Sequence, residues 1–255
     1  MATPQYIFGS GTAWCTPLTD YTGAAIVTPT PFLVAGMQDI SLDLSADLKM
    51  LYGSSSYAIA IGRGKQKFDV KAKNAQVTAR IWNNIFFGMP LTAGIKTTVL
   101  DATGAAIPGT PFQITPTVPS SGTWAYDLGV RDVNNLPYAR VASGPTAGQY
   151  SVAAGVYTFN TADTGKTVYI DYSYTATSTI AQKMSILNPT MGQAPTFQFD
   201  MTIPYNGNNF SLTLNSCVAT KMSIGTKLDD FTLPEFDFSA QAPGAAAVGT
   251  LSWSQ

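Results

Sequence analysis

Histidine is absent from the 255 residues. Its absence removes the usual general base, the Ser-His and Cys-His nucleophile pairs, and the commonest zinc ligand. Cysteine is almost absent too. Cys15 and Cys217 form no CxxC or metal-binding spacing. They read as two small apolar residues in a reducing compartment, with a disulfide between them as the alternative. Charge is scarce as well: charged residues make up 11% of the chain, against a usual figure of about 25%. The 14 Lys and Arg nearly balance the 15 Asp and Glu, which argues against bulk electrostatic attraction to nucleic acid. No apolar run of about 18 residues occurs, so no membrane partner is expected. The opening MATPQYIFGSGTAWCT has neither a basic n-region nor an apolar h-region, so synthesis and retention in a cytoplasm are expected.

Strand and turn formers are plentiful. The chain has 22 Gly, 16 Pro, 12 Tyr and 13 Phe, which together predict a mainly β protein. With so few charges, its surface is not wholly left to water, and self-association is expected. Residues 1–35 read as an extended N-terminal arm that docks on something else. Residues 36–91 and 179–240 read as one β domain, and 241–255 as a C-terminal tail. Between the two halves, 92–178 carries the turn signals DATG, IPGTP, VPSSG, VNNLP, GPTAG and ADTGK around short strands. That pattern predicts an inserted β-sandwich of immunoglobulin-like size.

Within the first domain the alternation is strict. Asp39, Ser41, Asp43, Ser45 and Asp47 alternate with Ile40, Leu42, Leu44, Ala46 and Leu48, which predicts a strand over 38–48. Further strands are expected at 56–62 and 64–73. The second places Lys65, Lys67, Asp69, Lys71 and Lys73 on one face and Phe68, Val70 and Ala72 on the other. Val77, Ile81, Trp82, Ile85 and Phe86 then recur at helical spacing, and Gly88 and Pro90 follow. This predicts one helix over about 75–88, its apolar stripe lying on a sheet. TFQFDMTIP, YNGNN and FSLTLNSCVAT predict a hairpin that turns at Asn206-Gly207.

No catalytic, cofactor or metal site is expected. IGRGK at 61–65 lacks the earlier glycine of a phosphate loop and precedes a strand, so a glycine-flanked turn is the expectation. Asp229-Asp230 reads as an exposed turn, and DATGA and ADTGK as β-turns too poor in carboxylates for calcium. The basic run Arg63, Lys65, Lys67, Lys71, Lys73, Arg80 either tracks phosphates or lies beside an acidic strand such as 39–47, within or between subunits.

Residues 36–88 (GMQDISLDLSADLKMLYG through GRGKQKFDVKAK to IWNNIFFG) together with 216–240 (SCVATKMSIGTKLDDFTLPEFDFSA) resemble the tail tube, or major tail, protein of long-tailed bacteriophages. The resemblance implies a mainly β fold: a β-sandwich/barrel subunit with one packed α-helix and, here, the inserted module. It implies stacked hexameric rings in the virion tail, conducting the genome during ejection. Its partners would be further copies of itself together with tape measure, baseplate or tip, and terminator proteins, and DNA would pass without specific binding. Asp39, Asp43, Asp47 and Asp200 are then expected to face the lumen and repel phosphate. Equally open at this point is an acidic face that is merely solvated, or paired with the lysine strand. Other readings are another virion component (capsid decoration, collar or tail terminator) and a glycan-binding module using Trp124, Tyr126, Tyr138, Tyr150, Tyr157, Tyr169, Tyr172 and Tyr174.

Overall fold

A computed structural model describes residues 6–76, 78–244 and 246–254. It is mainly β, built from antiparallel sheets with a single short α-helix among the described residues. Two compact units emerge: Met1–Pro90 with Met184–Gln255, and Leu91–Lys183. The insertion ends at 183 because Gln182 and Lys183 pair antiparallel with Ala93 and Thr92, fastening its entry to its exit.

The described residues of the first unit form eight strands: β1 (Thr12–Pro17), β2 (Phe32–Val34), β3 (Met37–Tyr52), β4 (Ala58–Asn74), β5 (Thr196–Tyr205), β6 (Asn208–Ser223), β7 (Glu235–Ala240) and β8 (Gly249–Trp253). They form one sheet in the order β2-β1-β5-β6-β7-β4-β3, with β8 also paired to β6. Period-two alternation decides which face is dry. Phe197, Phe199, Met201 and Ile203 are buried, while Thr196, Gln198, Asp200 and Thr202 between them are half-exposed. The β5–β6 turn falls at Asn206-Gly207, with φ of 50° and 83°. Left-handed values of this kind suit a two-residue hairpin loop. Phe199 and Phe238 lie 4.9 Å apart and Phe197 and Phe238 5.3 Å. Each such side chain withdrawn from water is worth about 1.5–3 kcal/mol.

Several expectations are corrected here. The arm is not separate: β1 pairs with β5 and sends Ala13 and Cys15 into the core, both fully buried. By contrast, Cys15 and Cys217 are buried free thiols, as expected. The strands expected at 56–62 and 64–73 are one continuous β4, so IGRGK is strand and not turn. Its partner β3 continues opposite it through to Tyr52, which supplies the ladder that overrides two glycines. The tail pairs with β6 as β8.

The helix is shorter than its pattern. Thr78 is the N-cap, its Oγ1 accepting from the Ile81 amide at 3.2 Å, and α1 spans Ala79–Trp82. A π turn follows over Asn83–Phe87, and Gly88 ends it at φ 61°. Asn83 explains the widened turn: its buried side chain accepts from the Met89 amide and donates to the Met89 carbonyl, at 2.8 and 2.6 Å. Ile81 and Ile85 are buried, Trp82 packs on the core, and Phe86 sits edge-on to Phe87. Val77 lies outside the described residues.

The second unit is a sandwich of two four-stranded sheets over Ile107, Val130, Tyr157, Val168, Ile170 and Tyr172. Its buried tyrosines are hydrogen-bonded, as their burial requires: Tyr150 and Tyr157 both donate to Asp127, at 2.6 and 3.1 Å.

Candidate assembly surface

β3 and β4 pair from Met37/Asn74 out to Tyr52/Ala58, but β7 covers β4 only from Lys73 to Asp69. Beyond Leu44 and Phe68 the two strands run on as a ribbon with no third strand beside them among the described residues. A two-stranded ribbon alone is marginal in water. The outer edge of β3 is likewise unpaired over its 16 residues.

The ribbon's composition adds to the problem. Ile40 and Leu42 pack against the core of the first unit. The same apolar series then continues with nothing over it: Leu44, Leu48, Met50 and Ile61 are 62%, 59%, 47% and 63% exposed. Leu51, Tyr52, Tyr57 and Ile59 are exposed as well. From Leu48 to Gly62 the only charged side chain is Lys49. Contiguous exposed apolar surface of this extent marks an interaction site.

The opposite face is polar and of mixed sign. Asp39 stands across from Lys73, and Lys73 across from Glu235, 3.5 Å from its carboxylate. In the next row Ser41, Lys71 and Asp237 are neighbours, and beyond it Asp43, Asp69 and Ser239, whose hydroxyl donates to Asp69 at 2.5 Å. Lys67 faces Ser45, whereas Arg63, opposite Leu48 beyond the register shift, falls on the apolar side. Asp47 and Lys65 fall at the register shift between Ala46 and Leu48 and have no partner in the ladder. Asp200 lies on the same polar side but is half-buried, accepting from Thr213 at 2.7 Å and Gln198 at 2.8 Å. The lysine strand therefore pairs with the acidic strand within one chain. The one-signed face of β3 becomes a face of mixed sign once β4 and β7 are beside it, with Asp43 and Asp69 still acid against acid.

The turn carboxylates are committed to protein donors. Asp101 accepts from the amides of Thr103, Gly104 and Ile170, and fully buried Asp163 accepts from Lys166 at 2.7 Å and the Gly148 amide at 2.8 Å. Asp229 and Asp230 are exposed, the latter 3.3 Å from Lys227. In the second unit Trp124, Tyr138, Tyr150, Tyr157, Tyr172 and Tyr174 belong to the core. Of the other two rings, Tyr126 lies under Lys96 and Tyr169 under Arg131.

Sequence reasoning found the acidic and basic strands but not the overhang. A signal for it exists: apolar residues at 48, 50, 51, 52, 57, 59 and 61 have no matching apolar segment to cover them. Compared with protein-family models and with curated proteins, the chain matches none.

Proposed function

We propose that this chain is a self-assembling structural subunit whose copies form stacked rings, the tube of a phage tail through which the genome passes. One observation carries this reading: the β3–β4 ribbon leaves the sheet with an open edge and an apolar face uncovered. Strands of a neighbouring copy would satisfy both, and closing a ring removes the free edges that otherwise template aggregation. The polar face suits a channel lining in this reading. Lys73 stands between Asp39 and Glu235 and Lys71 beside Asp237, so this part of the wall offers a passing phosphate chain few free cations; Lys67 faces Ser45 and Lys65 has no ladder partner. Asp39 acts there as a partner of Lys73, and Asp43, which faces Asp69, as a local repulsion, screened beyond about 8–10 Å. Tape measure, tip and terminator proteins are the further partners this role implies.

The test is size analysis with light scattering, followed by negative-stain microscopy of the purified chain. Hollow rings or tubes are expected. Replacing residues 48–62 by an Asn-Gly turn should leave a folded monomer that makes neither. A wild-type chain that stays monomeric at high concentration overturns the reading. The glycan-binding alternative gains little, because the two tyrosines outside the module core already lie under cations.

A further inference from the structure

We propose that the loop between β6 and β7, residues 224–234, docks in a groove at the base of the β3–β4 ribbon of a second copy. The inference rests on the self-assembly reading and names one of its contacts. The groove holds about 620 Å³; Leu44, Leu48, Phe68, Val248, Arg63 and Lys67 are among its lining residues. The loop presents Leu228 and Phe231, 97% and 91% exposed, on either side of the exposed carboxylates Asp229 and Asp230. Apolar floor meets apolar plug, and Arg63 and Lys67 meet a loop of net negative charge, in which Asp229 has no ion-pair partner among the described residues and Asp230 lies 3.3 Å from Lys227. Charge complementarity of this kind fixes partner and register.

The chain's own loop cannot fill the groove, because the Arg63 wall lies well beyond its reach. β7 runs from Glu235, next to the loop, to Ala240, which lines the groove. On β4, Lys73 stands opposite Glu235, and from there to Lys67 and Arg63 is about 20–33 Å along the strand. A loop of this length, tethered at both ends, reaches roughly 17 Å. Plug and groove thus sit at opposite ends of the same strands. Each copy carries one of each, so the contact is head-to-tail and passes from copy to copy.

The experiment uses the full chain, with sedimentation velocity and electron microscopy as readouts. Asp229→Lys with Asp230→Lys, and separately Arg63→Glu with Lys67→Glu, should each raise the concentration needed for assembly at least tenfold. All four changes in one chain should restore it to within threefold of wild type. Leu228→Ser with Phe231→Ser should weaken assembly at high salt too, where the charge effect is screened. Every changed residue is exposed, and an unaltered thermal transition checks that folding is intact. If wild type assembles and the loop variants assemble just as readily, or the fourfold variant is not restored, the docking is overturned while self-assembly stands. If wild type never assembles, both fall.

Discussion

Cys15 and Cys217 lie on neighbouring parts of one buried surface, and their chemistry follows from that position. Burial, then the negative charge of Asp200, pushes the Cys217 thiol from an ordinary 9.0 up to about 12. Cys15 is raised as well, by burial first and then by Cys217 and Asp200. A thiol whose folded pKa is raised contributes stability that is complete below its ordinary value and is lost as pH climbs through the folded one. Denaturant midpoints should therefore hold steady up to about pH 9 and fall above it. Replacing Cys217 with Ala should flatten that fall, and an unchanged slope would refute the assignment. At pH 8 the native chain should resist thiol reagents, whereas the chain in denaturant should take up two labels. The sequence reading reached the unpaired state of these residues from composition. It missed that Cys15 lies in the core, because TAWCTP is short, ends in Pro and follows a Gly-rich stretch.

Among the elements, β5 and β6 were the most legible, because strict alternation and Asn-Gly chemistry point the same way. β4 was the least legible: Gly62 and Gly64 read as breakers, and only the partner strand reveals that the ladder runs through them. The π turn was also hidden, since it depends on Asn83 reaching Met89. The cross-strand rows allow a direct check. Lys73→Glu would set three carboxylates side by side, with Asp39 on one flank and Glu235 on the other. Each favourable neighbour lost is worth roughly 0.2–1 kcal/mol. The thermal midpoint should fall, more at low salt than at high salt. A variant as stable as wild type at low salt would show that these rows add nothing to folding. Exposed pairs often contribute little, which makes the salt dependence the more telling readout.

At the scale of the whole molecule, the low charge content and the uncovered ribbon point the same way, toward the self-assembly proposed above. Position in the sequence also separated the insertion from the sheet it interrupts. Residues 91–183 have their own core and a closed base, so expressed alone they should fold. The expected result is a single cooperative thermal transition and dispersed amide resonances. A collapsed, poorly dispersed spectrum would show that the module depends on the other unit. Asp101 gives this module an acid limit. Burial opposes its ionisation, but the amides of Gly104, Ile170 and Thr103 and the Arg131 guanidinium outweigh burial and hold it below its ordinary 3.8.

The clasp of Thr92–Ala93 against Gln182–Lys183 brings the module's first and last residues to about one strand spacing, roughly 4.8 Å. Any foreign domain with adjacent termini fits such a gap. The site is thus a ready splice point for carrying a foreign domain, at one copy per chain.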